Sequence, residues 1–152
     1  MSARAATIAI LRTAGAQGCG VTQNAAITIA FAADRDTLRA VVRGNGNYAN
    51  TLDYWRRIAA ELRERRPHAL LLLDETTGEP LSAAQWQVLV QTMSGEGLEC
   101  VRIAHVKPFG LQHIEYCELF AREAGLDARV FTNEREAALW LRYGERSPPP
   151  AR

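Results

Sequence analysis

The sequence predicts an α/β fold: a mixed sheet with an antiparallel edge strand and an otherwise parallel core, covered by helices. Three observations carry this expectation. First, Leu70 to Leu73 is an unbroken run of four leucines, entered shortly after Pro67 and closed by Asp74 and Glu75. A strand with one face in water alternates apolar and polar residues, so an unbroken apolar run belongs to a strand covered on both faces, as in a parallel sheet. Second, amphipathic helical stretches lie on either side of that run, giving the alternation of strand and helix found in layered α/β domains. Third, only Asp34-Arg35-Asp36 separates the first two strand-like segments, a hairpin spacing, whereas helix-length segments separate the later ones.

Each element has a local reason. Ile27 to Ala32 is rich in β-branched and aromatic residues, and Leu38, Ala40 and Val42 alternate with Thr37, Arg39 and Arg43. Gly44-Asn45-Gly46-Asn47 then punctuates the chain. A first helix follows, with Asn50 as its expected N-cap and Leu52, Trp55, Ile58, Ala59 and Leu62 on one stripe, ending before Pro67. After the leucine strand, Ser82-Ala83-Ala84-Gln85 reads as a capping box, with Leu81 and Trp86 placed as a hydrophobic staple. Trp86, Leu89, Val90 and Met93 form the buried stripe of this second helix, and Gly95 and Gly97 stop it. Cys100, Val101, Ile103, Ala104 and Val106 make the next strand, closed by Pro108. A third helix carries Leu111, Ile114, Cys117, Phe120, Ala121 and Ala124 and stops at Gly125. Val130 and Phe131 form a short last strand. Asn133 and Glu136 suggest a second capping box, followed by a helix that turns Ala137, Trp140 and Leu141 inward. The expected order is ββαβαβαβα, with the three tryptophans in the core.

A chain of 152 residues fits one domain and is long enough to bury a core. The net charge of +1, with acids and bases interspersed, leaves no electrostatic footprint for nucleic acid or a membrane surface. Arg63, Arg65 and Arg66 cluster at the end of a helix, where they complement its dipole. The leucine run is too short to span a bilayer. Three widely spaced cysteines without a CxxC pattern fit a reducing, cytoplasmic setting, with Cys100 and Cys117 on apolar faces. Ala5 to Leu11 is apolar, and Ala16-Gln17-Gly18-Cys19 has a faint likeness to a lipoprotein cleavage box. Arg12 interrupts the apolar run at the lower limit for a signal core, so export is not expected. Residues 1–24 are expected to be a loosely ordered extension, 25–144 the domain, and 145–152, with Ser147-Pro148-Pro149-Pro150, a disordered tail.

In a parallel sheet, ligands bind beyond the carboxyl ends of the strands. Those ends supply Asp74, Glu75, Thr76 and Thr77, then His105, Lys107 and Phe109, then Thr132 and Asn133. Acid, imidazole and amine on neighbouring loops have the makings of an acid–base site, yet they are also ordinary strand-end polar residues. No nucleophile motif, phosphate loop or metal spacing accompanies them, so no cofactor is expected. His113 and Cys117, four apart on one helix, are two ligands and do not make a metal site.

The chain resembles the STAS domain, the fold of bacterial anti-sigma-factor antagonists, and in particular its SpoIIAA-like branch. The residues that carry the resemblance are the hairpin from Ile27 to Arg43, the helix containing Tyr54-Trp55, and Leu70-Leu71-Leu72-Leu73-Asp74-Glu75 with the helix that begins Leu81-Ser82. The closing segment from Ala128 to Leu141 belongs to it too. Antagonists of this type carry a phosphorylatable hydroxyl in an Asp-Ser-Ser-Gly-like motif at the junction that here reads Asp74-Glu75-Thr76-Thr77-Gly78-Glu79-Pro80-Leu81-Ser82. Thr76, Thr77 and Ser82 offer hydroxyls there, but the motif is absent, and capping already accounts for Ser82.

The resemblance implies a non-enzymatic regulatory or protein-interaction module that contacts a partner protein through Asp74, Glu75, Thr76, Thr77 and Ser82, with His105 and Lys107 nearby. The alternative is a carrier of a small, apolar ligand, or a weak enzyme, with its site around Asp74, Glu75 and His105. A dry, apolar cavity of roughly 300 Å³ or more with His105 at its mouth would mark the alternative.

Overall fold

The computed structural model describes residues 27–109 and 111–145. The expected N-terminal extension, Cys19 and residues 146–152 of the expected tail lie outside the described residues. The elements follow the order β1 (Thr28–Asp34), β2 (Thr37–Asn45), α1 (Tyr48–Arg65), β3 (Ala69–Thr77), α2 (Ala83–Thr92), β4 (Arg102–Val106), α3 (Leu111–Glu123), β5 (Asp127–Phe131) and α4 (Glu134–Tyr143). This is the ββαβαβαβα order that the sequence predicts.

The five strands lie side by side in chain order, β1 antiparallel to β2 and every later neighbour parallel. The leucine strand is therefore central, with Leu72 paired to Ala40 on one side and His105 on the other. Because side chains alternate across a strand, its leucines divide between two cores. Leu70 and Leu72 pack with Trp55, Ile58, Trp86, Leu89, Ile114 and Cys117 beneath α1, α2 and α3. Leu71 and Leu73 pack with Ala104, Val106, Phe131, Ala137 and Trp140 beneath α4. An uninterrupted leucine run is what such two-sided burial selects. All three tryptophans are buried.

Local chemistry explains most boundaries. Ser82 and Gln85 close the predicted capping box reciprocally, Gln85 Oε1 accepting from Ser82 N at 2.9 Å and Ser82 Oγ from Gln85 N at 3.2 Å. Asn133 caps α4 by accepting from Glu136 N at 2.9 Å.

Three expectations need correction. The N-cap of α1 is Asn47, which accepts from Asn50 N at 2.9 Å, so Asn50 lies inside the helix. The helix starts early because Asn45 Oδ1 accepts from Asn47 N and Gly46 N donates to Thr77 O, pinning the turn at the end of β2. Cys100 does not belong to β4. It ends a 3-10 turn, Leu98–Cys100, that follows Gly97 in a left-handed conformation, and it is exposed instead of lying on an apolar face. β5 is also longer than the Val130–Phe131 core that the sequence suggests, starting at Asp127. No helix among the described residues is long and apolar enough to cross a membrane.

Candidate functional site

Period-two alternation builds the site. Asp74 follows Leu70 and Leu72 on the β3 face that lies under α1 to α3, and His105 follows Ile103 on the same face of β4. The pairing of Leu73 with Val106 brings the chain after Val106 alongside Asp74, so that Lys107 reaches the same carboxylate.

Asp74 is the hub. Its Oδ1 accepts from Thr76 N at 3.0 Å, from the Thr76 hydroxyl, and from Lys107 Nζ at 3.1 Å. Its Oδ2 accepts from the Tyr54 hydroxyl at 3.2 Å and faces His105 Nε2 at 2.9 Å. An ionised carboxylate only accepts, so the His105 nitrogen facing it carries the proton. Burial alone would raise the Asp74 pKa. The hydrogen bond and charge of His105, the charge of Lys107 and the Thr76 hydrogen bond outweigh burial and hold the carboxyl below its ordinary range. The anion is thus stable although its side chain is only 3 % exposed.

The surroundings of His105 are aromatic. Trp55 and Trp86 meet its ring edge-on at centroid distances of 5.8 and 6.4 Å. Its second nitrogen, Nδ1, lies 3.8 Å from Cys117 Sγ. Burial, then the negative charge of Asp74, pushes the Cys117 thiol up, so it stays protonated and unreactive. Burial likewise raises the Tyr54 pKa, reinforced by Asp74, which keeps the phenol a donor. Cys117, His105 and Asp74 stand in the spatial order of a nucleophile relay. With the sulfur closed to solvent and held as a thiol, it is an internal hydrogen-bonded spine.

Above this spine lies a cavity of about 620 Å³. It is lined by the polar residues Asp74, Thr76, Lys107, Thr51 and Tyr54 and by the apolar Leu81, Trp86, Pro80, Pro108 and Ile114. Phe109, 86 % exposed, stands at the rim. Gly46 passes so close that a Cβ there would meet Thr76 Oγ1 at 2.7 Å, so this glycine is what lets the β2–α1 turn pack against Thr76.

The structure brings Asp74, Thr76, Lys107 and His105 into one cluster. The mark set for the alternative is met in volume only: polar residues share the lining, and His105 is not in it but is bonded to Asp74, which is. Glu75 turns to Arg43, 2.5 Å away, and Thr77 is exposed with its hydroxyl 3.5 Å from Gly44 O. Ser82 is occupied by capping, and Thr132 and Asn133 lie outside the cavity lining. The His113 side chain is outside the described residues, and Cys117 faces His105 instead. Among the described residues no cluster of three His, Cys, Asp or Glu can hold a metal ion.

Two members escaped sequence reasoning. Cys117 reads as core on the buried stripe of its helix, and Tyr54 falls outside the stripe that the sequence suggests for α1, yet both are buried. The available signal was the polar atom each carries into that core, since a buried hydroxyl needs a partner. No known family model matches this chain, and no curated protein matches it.

Proposed function

We propose that this chain is a non-enzymatic, STAS-like binding module whose site is the cavity above Asp74, occupied by a small, largely apolar ligand. The observation that carries this reading is the cavity itself: about 620 Å³ of space with apolar and polar lining residues, at the carboxyl ends of the parallel strands. The chemistry favours binding over turnover. The Asp74 carboxylate is saturated by its donors, Lys107 is held to Asp74 and Thr76, and Cys117 is a buried thiol. The STAS-like assignment is supported by the element order and the antiparallel edge strand. A cytoplasmic location is part of the proposal, supported by the free thiols of Cys100 and Cys117.

Titration of isotope-labelled protein with a library of small aromatic and aliphatic fragments tests the reading. Amide shifts are expected to concentrate at Thr76 to Leu81 and at Lys107 and Phe109. Shifts confined to other surfaces, or none at all, would refute it.

A second reading, contact with a partner protein through the Asp74–Ser82 loop, is favoured by one observation. Glu75, Thr77, Gly78, Glu79 and Pro80 are all exposed, as is Phe109, which lines the same cavity. A Thr77→Ala/Glu79→Ala variant leaves the Asp74 cluster intact, so loss of partner capture by that variant would identify the loop as the contact.

A further inference from the structure

We propose that β1 is the surface through which two copies of this chain associate, edge to edge and antiparallel, joining their five-stranded sheets into one of ten strands. The inference stands apart from the ligand reading and rests on how the two edges of the sheet differ. An outer strand presents a row of backbone N–H and C=O groups to any chain able to pair with them, and proteins commonly block such edges by charge, brevity or covering groups. β5 is blocked. It has five residues, among them Asp127 and the exposed Arg129, and Glu118 Oε2 accepts from Val130 N at 2.9 Å. β1 is not. Its seven residues, Thr28-Ile29-Ala30-Phe31-Ala32-Ala33-Asp34, pair with β2 at every position without a bulge and carry no charge before Asp34. Among the described residues nothing pairs with its outer edge, and Thr28, Ala30, Ala32 and Ala33 are exposed.

The strand is its own complement. Antiparallel pairing turns one copy end for end, so a pairing centred on Phe31 sets Ile29 opposite Ala33, Ala30 opposite Ala32 and Thr28 opposite Asp34 of the second copy. Directly opposed residues share one face of the joint sheet. Ile29 and Phe31, half-buried at the margin of the main core, extend that core across the joint. On the other face Ala30 and Ala32 add no bulk, and the Thr28 hydroxyl can donate to the Asp34 carboxylate of the second copy, twice by symmetry. The two Asp34 carboxylates, which a parallel pairing sets side by side, end up at opposite ends. Thr28 pairs with Arg43, and Arg43 with Glu75 of the cavity lining, so β1 begins at the cavity end of the sheet. The two cavities therefore lie at opposite ends of the joint sheet, clear of the contact.

Sedimentation equilibrium of the full chain across a concentration series tests this, with two variants at exposed positions outside the cavity lining. Wild type is expected to reach twice the mass of one chain. Ala30→Glu/Ala32→Glu sets like charges against each other at both Ala30–Ala32 pairs and is expected to raise the dimer dissociation constant about tenfold. Ala30→Lys/Ala32→Glu sets opposite charges at the same pairs and is expected to associate at least as tightly as wild type, which also shows that charge at these positions leaves the fold intact. A wild-type chain that stays monomeric, or a dimer that Ala30→Glu/Ala32→Glu leaves unchanged, would overturn the proposal. So would an Ala30→Lys/Ala32→Glu variant that associates as weakly as Ala30→Glu/Ala32→Glu.

Discussion

The imidazole of His105 meets the carboxylate of Asp74 across two adjacent parallel strands, Nε2 to Oδ2 at 2.9 Å, with each side chain only 3 % exposed. A charge so far from water persists only where its partners replace the lost hydration. Lys107, Thr76 and Tyr54 complete that replacement, and the result is a polar cluster that shares in lining the cavity. Removing one partner from such a cluster strands the others, and the predictions concern that dependence.

Asp74→Ala is expected to destabilise the protein by roughly 3–5 kcal/mol, because it leaves Lys107 and His105 buried without their acceptor. Urea denaturation of wild type and variant reads this directly. A midpoint shift worth less than about 1 kcal/mol would mean that water replaces the carboxylate.

The depressed Asp74 pKa predicts an acid-labile contribution to stability. In the unfolded chain an aspartate titrates near 3.9, whereas in the fold its pKa is lowered. The stabilisation is therefore fully present above the unfolded value and is lost as pH falls below about 4 toward the folded value. Unfolding free energies measured from neutral pH down to pH 2 should fall more steeply for wild type than for Asp74→Asn. Parallel curves would show that Asp74 titrates alike in both states.

Trp86 lies one turn inside α2, is 4 % exposed, and packs with Leu81 and Leu89 while edging His105. Trp86→Ala should cost roughly 3–5 kcal/mol through lost burial and the cavity left behind. An unchanged melting temperature would contradict its place in the core.

Thiol labelling separates the two described cysteines. Exposed Cys100 should alkylate readily at neutral pH, while Cys117, buried with its thiol pushed up, should react only on unfolding. Peptide mapping of the labelled protein checks this, and equal labelling rates would show that the spine opens.

The fold was legible where local chemistry and global packing agree. The leucine run demanded two-sided burial, and the Ser82–Gln85 box marked the start of α2. The α1 cap was not legible, because Asn47 and Asn50 are both good caps. The choice falls to tertiary bonds from Asn45 and Gly46 that a one-dimensional reading does not contain. Cys100 misled for a similar reason, since apolar Cys100-Val101 continues the strand pattern while the turn after Gly97 consumes its first residue.

The site was half legible. Alternation alone puts Asp74 on the face of Leu70 and Leu72, and His105 on that of Ile103. That the two faces meet depends on the pairing of Leu72 with His105, set by how α2 and the turn after it return the chain. Tyr54 was hidden because it falls outside the stripe that the sequence suggests for α1, and only the bond of its hydroxyl to Asp74 gives it a place in the site.

The most direct test of the ligand site is a crystal structure of the full chain grown with a neutral aromatic alcohol such as 2-naphthol. The expected result is the ring between Leu81, Trp86 and Phe109, above an undisturbed Asp74–Lys107 pair. A cavity holding only water, with the alcohol bound elsewhere or not at all, would contradict the assignment.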